Sequence, residues 1–381
     1  MKVISKYEKI QKREMLDCRV KSLKEILRNS DIELSSYEVL ALCGGITFCY
    51  TTIDFKQYDI KKIPYVLVTE EALEDNLFNM LQMSYVKEKI EDTQDGWNHM
   101  MSLIDHNIPI LFKYDSSVFL ETKRERINLK YLSLLLLVGY DKKTKDVAVV
   151  LTNSNDKESY EVFHYEQFQK YRGTVCIPSS PDYQCMYVLE RNEEKLTKDY
   201  IDKCLLQSVY KISKKMIDGQ SLSRIDNELF ASMEFNIGIA GMKILLHDIL
   251  LMLKSAVLKN KKKRKLVRFK MLFLRDNMLH GSATAFRKEF SESLIVIGRR
   301  INIIELQQIG LEFKRISELW SKFFLYIGRY VHGEEGKLLE ILKIYIVFYR
   351  ITKKEEKAFK NLKRVLESSV QEVRNEKETQ V

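Results

Sequence analysis

DCRVKSLKEILRN, residues 17–29, reads as a helix with a cysteine in its first turn. Asp17 is of the type that caps helix starts, and Val20, Leu23, Ile26 and Leu27 recur at the spacing that lines one helical face. Ser35–Leu42 offers a second, shorter helix, ended by Gly44-Gly45. The period then changes. Ile46–Thr52 and Tyr65–Val68 are rich in β-branched and aromatic residues, as strands are. Glu70–Met83 returns to a helical pattern, and strand-like runs follow at Ile108–Lys113, Tyr131–Tyr140 and Asp146–Thr152. The polar turn Asp141–Lys145 joins the last two as a hairpin. Ser159–Phe163 adds an edge strand and Tyr165–Arg172 a closing helix, so the fold class expected here is α+β.

The character of the chain changes near Pro178–Glu194. All four prolines (Pro64, Pro109, Pro178, Pro181) lie in the first half of the chain, and the 200 residues after Pro181 have none. Proline disfavours a helix interior by about 3 kcal/mol, so a long proline-free stretch suits helices. Helical spacing recurs over 196–218, 222–232, 236–258, 265–279, 283–299, 301–331, 335–351 and 353–377, without a fixed repeat. Two domains are expected, an α+β domain over 1–190 and an all-α domain over 191–381.

Charge divides along the same line. Of 63 Lys+Arg and 53 Asp+Glu, residues 1–190 hold 25 and 29, which leaves 38 and 24 for the remainder. The basic half is suited to an anionic partner or, equally, to solvated lysine-rich helix faces. The first thirteen residues carry Lys2, Lys6, Lys9 and Lys12 and no apolar core, so no signal peptide is expected there. Lys243, His247, Asp248 and Lys254 interrupt the most apolar stretch, Phe235–Leu258. A central charge costs roughly 2.5–3.5 kcal/mol in a bilayer, so a membrane span is not expected there. The expected setting is the cytoplasm, with the six cysteines reduced. No CxxC pair or Cys/His cluster with zinc spacing occurs, so no metal is expected, and no cofactor either.

Cys18 is the sharpest candidate for chemistry. A thiol at a helix start feels the positive end of the macrodipole and unpaired N–H groups, which stabilise thiolate. The alternative is a small buried residue at a helix start. Gly44 and Gly45 either let backbone approach a ligand closely or cap a helix that leads into a strand. No histidine announces itself as a base. His247 lies in the most apolar helix and is expected in the core, while His280 and His332 precede glycines at helix ends. The run KNKKKRKLVRFK, 259–270, with Lys261, Lys262, Lys263, Arg264 and Lys265 at its centre, is either a docking surface for an acidic partner or a solvated linker. Phe269 is its only aromatic residue, which disfavours single-stranded nucleic acid.

Taken together, DCRVKSLKEILRN, LCGGITFCY, HNIPILFKYDSSVF and LLLLVGYDKKTKDVAVVLTN resemble the N-terminal domain of the butirosin biosynthesis protein H family. That resemblance implies a papain-like cysteine fold and a C-terminal helical domain with a tryptophan in one helix and a glutamate in a late one. Trp320 and Glu355 or Glu356 match these. It implies an acyltransferase that moves an acyl group from an acyl-carrier-protein thioester to a small-molecule amine, with Cys18 as nucleophile. The family's histidine heads the strand that ends in Gly-Tyr-Asp. Counting back from Gly139-Tyr140-Asp141 puts Ser133 in its place, and Asn153 at that of the acid. Either another residue supplies the base, with His164 the nearest in sequence, or the chain is a binding or scaffold relative with altered catalysis. The oligomeric state stays open, a homodimer included.

Overall fold

A computed structural model of the chain describes residues 1–7, 18–55, 60–69, 72–115, 132–151, 160–174, 181–190, 196–219, 222–223, 234–257, 260–279, 282–333 and 338–378. Along the chain lie β1 (Lys2–Val3), α1 (Cys18–Asn29), α2 (Ser36–Leu42), β2 (Ile46–Phe55), β3 (Ile60–Thr69), α3 (Leu73–Met80), β4 (Ser84–Lys89) and α4 (Gln94–Asp105). Next come β5 (Ile110–Asp115), β6 (Leu132–Asp141), β7 (Asp146–Leu151), β8 (Glu161–His164), α5 (Tyr165–Arg172) and β9 (Gln184–Glu190). The rest is helical but for two short strands. It holds α6 (Lys198–Asp218), β10 (Leu222–Ser223), β11 (Glu234–Ile237), α7 (Gly238–Val257), α8 (Lys261–Met278), α9 (Arg287–Arg300), α10 (Ile304–His332) and α11 (Leu338–Glu378).

The fold is α+β, with a cysteine-headed helix, antiparallel sheets and a C-terminal helical region. Its compact units are not collinear with the sequence. One comprises Met1–Val39, Leu77–Thr197 and Asn227–Leu229, and the other Leu40–Asn76, Lys198–Asp226 and Phe230–Val381. The return crossing at Thr197/Lys198 falls near the change of composition, but β2 and β3 count with the helices. Nothing in their alternating, half-apolar pattern distinguishes them from the strands of the other sheet, so their placement is a tertiary outcome.

The first unit is built on a sheet of order β4-β9-β5-β6-β7-β8, with β1 beside β6 and every pair antiparallel. β6 is the central apolar run, and Leu134 to Val138 are all buried. The hairpin to β7 is closed by Asp141, whose carboxylate accepts from the N–H groups of Lys143 (2.9 Å) and Thr144 (3.4 Å). Helix α1 buries Val20, Leu23, Ile26 and Leu27, the face its spacing predicts, and also Lys21, Ser22 and Glu25. In the core of this unit the Arg172 guanidinium sits 3.9 Å from the centre of the Phe112 ring and donates to the carbonyls of Ile90 and Tyr183. Loss of hydration pulls its pKa down to about 10.

The second unit centres on the sheet β10-β11-β2-β3 and α6 to α11. Phe48 of β2 lies 6.3 Å from the rings of both Trp320 and Phe348. Beside them is a fully buried ion pair. Arg287 donates from Nε (2.9 Å) and from a terminal nitrogen (3.0 Å) to the two oxygens of Glu355. Its other terminal nitrogen donates to the carbonyls of Thr47 (3.2 Å) and Ala285 (2.8 Å). Trp320 Nε1 donates to Glu355 at 2.6 Å. Of the two glutamates matched at the sequence level, Glu355 is therefore the tryptophan's partner, while Glu356 pairs with Lys243 and Lys360 at the surface.

Candidate functional site

Cys18 is the first residue of α1 and is half-buried. Its carbonyl accepts from the Ser22 hydroxyl at 2.9 Å, the ordinary back-bond of a serine one turn on. Asp17, the capping residue read from the sequence, lies outside the described residues. Helix α1 packs on β6, which brings up Ser133, a residue 115 positions further along. The buried Ser133 hydroxyl donates to Cys18 Sγ at 3.0 Å. The position counted back from Gly139-Tyr140-Asp141 thus stands against the sulfur. A hydroxyl there is a donor to negative charge on sulfur, and it is no proton acceptor at neutral pH.

Tyr114 completes this face of the sheet. It is the cross-strand partner of Ser133 on β5 and is fully buried, so its ring and the serine share one side at about 4.5–5.5 Å between Cβ atoms. Sequence reasoning missed it. The signal was available in the β5/β6 register, which the hairpin pattern alone does not specify. Asn153, the candidate acid position, lies outside the described residues.

The three histidines of this unit are held elsewhere. His164 is the partner of Asp146, which in turn pairs with Asp141. Ser133 is eight residues further along β6, about 25 Å at roughly 3.3 Å per residue. His164 is therefore no substitute base. His106 caps the end of α4 through its Nδ1 contact to the Ser102 carbonyl (2.7 Å). Its neighbour Asn107 accepts from Asn29, the last residue of α1, about 16 Å from Cys18 at the other end of that helix. His99 contacts Glu88 at 2.7 Å. Glu88 pairs with Cys185, Cys185 with Phe112 and Phe112 with Leu135, which places that carboxylate three strand spacings, about 14 Å, from the β6 row near Ser133.

The remaining candidates sort differently. Gly44 N–H donates to the Ala41 carbonyl and Gly45 N–H to that of Leu40, both at 2.9 Å, with Gly44 at φ 76°. This is the Schellman stop of α2, the helix-cap reading of the pair. A Cβ on Gly45 would lie 2.4 Å from the Leu40 carbonyl oxygen, so the backbone itself requires glycine there. Lys261, Lys262, Lys263, Arg264 and Lys265 are not a linker: they are the exposed first five residues of α8, capped by Asn260, whose side chain accepts from the Lys263 N–H. His247 is exposed on α7, against the expectation of a core histidine, because it falls on the helix's outer side. Among the described residues no helix is long and apolar enough to cross a membrane.

No curated protein matches the chain. Residues 17–150, from the segment that opens α1 to the end of β7, match the model of the family described as butirosin biosynthesis protein H, N-terminal. Over that stretch the chain is similar to the butirosin biosynthesis protein H N-terminal domain, the resemblance that its sequence motifs carry.

Proposed function

We propose that the chain is a cytoplasmic acyltransferase of secondary-metabolite biosynthesis. Cys18 takes an acyl group from an acyl-carrier-protein thioester and passes it to the amine of a small molecule. The observation that carries this reading is the 3.0 Å contact from the Ser133 hydroxyl to the sulfur at the start of α1. Two features that favour anionic sulfur, a helix N-terminus and a hydroxyl donor, converge there. Exchange of one thioester for another is nearly isoenergetic, so a thiol is a fitting relay for such a donor. Incubation of the full chain with an acyl-carrier thioester is expected to add the acyl mass to the wild type and none to Cys18→Ala. A wild type that stays at its starting mass rejects the proposal.

In this reading the exposed cations that open α8 recruit the acidic carrier. They add charge to the positive end of their own helix, at a cost to α8. Binding of an acidic carrier should weaken steeply with salt and be lost on reversing Lys261, Lys262, Lys263 and Lys265 to glutamate. Binding that survives the reversal moves the docking surface elsewhere.

A second reading rests on the same contact. A hydroxyl stands at the sulfur where the family resemblance implies imidazole, and this favours a binding or scaffold member with impaired catalysis. Carrier binding without any acyl adduct is its signature.

A further inference from the structure

We propose that the outer face of α11 is a docking site for an acidic amphipathic helix of another protein, which pairs with it as in a short two-stranded coiled coil. The proposal goes beyond the acyl-transfer reading. It depends neither on Cys18 nor on the cations that open α8.

Helix α11 begins apolar on every side. Between Leu338 and Ile351 only Glu340, Lys343 and Arg350 are charged. A helix that is apolar all round belongs in an interior. Its inner face meets that expectation, since Ile341, Ile344, Phe348 and Ile351 are fully buried. The outer face does not. Leu339, Leu342, Ile346 and Tyr349 are 56%, 41%, 39% and 45% exposed. A single exposed leucine is ordinary, but four in one row form a patch of the kind that marks an interaction surface. Beyond Thr352 the outer face turns polar, with Lys353, Lys354, Lys357 and Lys360 exposed, so the patch is about three turns long.

The spacing of the row points to a helix as its occupant. Its members are three, four and three residues apart. At roughly 100° per residue they span about 80° of the circumference, narrower than the stripe a helix turns to a globular core. Leu339 and Ile346 fall at a positions of a heptad and Leu342 and Tyr349 at d, the seam that receives one further helix. Charge then chooses the partner. Lys343, Arg350 and Lys357 are seven apart and occupy the e position that edges the seam. The acids of this stretch are engaged already: Glu340 with Lys343 (2.8 Å), Glu356 with Lys243 (3.2 Å) and Lys360 (3.1 Å), and Glu355 with Arg287 in the core. A second copy laid antiparallel would set cation against cation. A parallel copy would set the row beside Tyr345 and Thr352, with no anion to meet it. A helix with Asp or Glu at its flanking positions completes both the seam and the row.

The test is fluorescence anisotropy of the full chain with a labelled synthetic peptide of three heptads, leucine at a and d and glutamate at e and g. The same peptide with lysine at e and g is the comparison. Expected is saturable, salt-sensitive binding of the acidic peptide, about tenfold or more tighter than that of the basic one. Leu342→Glu with Ile346→Glu should weaken it by about tenfold or more. Both positions are exposed, and an unchanged melting curve checks that the variant folds. Should it not fold, Arg350→Glu with Lys357→Glu decides, because it should reverse the preference between the two peptides. Binding should survive reversal of Lys261, Lys262, Lys263 and Lys265; its loss there moves the acidic helix to α8 and overturns the inference. No binding of the acidic peptide, equal binding of both peptides, or binding indifferent to the seam variants also overturns it. So does a wild-type dimer in sedimentation that Leu342→Glu dissolves, which assigns the seam to a second copy. Wild-type binding to phosphatidylserine vesicles that the same substitution abolishes assigns it to a membrane and overturns it too. Failure of Cys18 to take an acyl group leaves the inference standing.

Discussion

At the residue scale, cysteine environment separates the thiols. Cys18 is half-buried at a helix start, whereas Cys43, Cys49, Cys185 and Cys204 are buried. Burial pushes the Cys185 thiol up to about 12, and it raises that of Cys204 as well. Brief iodoacetamide treatment of the native chain followed by peptide mapping should therefore label Cys18 ahead of those four. Labelling of Cys185 at a comparable rate would contradict the burial. The pair at the candidate site was readable beforehand: the cysteine at the helix start and the residue six positions before Gly139 are the two that meet. Tyr114 was not, because only the strand register sets it opposite Ser133. Nor could spacing choose between Glu355 and Glu356, which are adjacent on α11 and point to different surroundings.

At the scale of elements, α2 shows how short helices are bounded. Ser35 and Glu38 form a capping box, the Glu38 carboxylate accepting from the Ser35 N–H (2.7 Å) and the Ser35 hydroxyl accepting from the Glu38 N–H (3.3 Å). Ser35→Ala should cost about 1 kcal/mol in chemical denaturation. Gly45→Ala should cost more, since its new methyl meets backbone and not a flexible side chain. On α4, Asp105 accepts from Lys2 (2.7 Å) and from the Tyr140 hydroxyl (2.6 Å). These bonds, that from Lys2 first, hold its pKa below the usual carboxylate value. A depressed acid stabilises the fold above its unfolded pKa and loses that contribution as pH falls through the folded value. Asp105→Asn should therefore lower the melting temperature at pH 6 and approach the wild type near pH 2. The elements that pattern reading missed have local causes. β4 is a charged edge strand, SYVKEK, whose alternation is faint. β9 follows Pro178 and Pro181, where the change of composition sets the expected domain boundary, yet it lies inside the sheet between β4 and β5. The helical spacing divides 335–377 into two helices, but α11 runs unbroken over 41 residues.

For the whole molecule, the decisive fact is that Leu40–Asn76 packs with residues beyond Lys198. A fragment of residues 1–190 keeps β2 and β3 but loses their cover. Phe48 then lacks Trp320 and Phe348, and Thr47 lacks Arg287. Such a fragment should aggregate or give poorly dispersed amide NMR spectra, and a well-dispersed spectrum would disprove the dependence. The buried ion pair sets a second expectation. Glu355→Ala strands a guanidinium in the core and should cost about 3–5 kcal/mol, roughly 10 °C in melting temperature. Replacing both partners together, Arg287→Met with Glu355→Leu, should recover most of that loss.

The long reach from Thr47 to Arg287 also has a consequence during synthesis. The two residues are 240 positions apart. At about 5–20 residues per second, the β2–β3 segment leaves the ribosome roughly 10–50 s before the helices that cover it. For that interval an apolar hairpin waits uncovered, and nascent chains of this protein should be clients of ribosome-bound chaperones. Slower decoding across residues 200–290 would lengthen the exposure, so synonymous codon changes there should lower the yield of folded protein without altering a single residue.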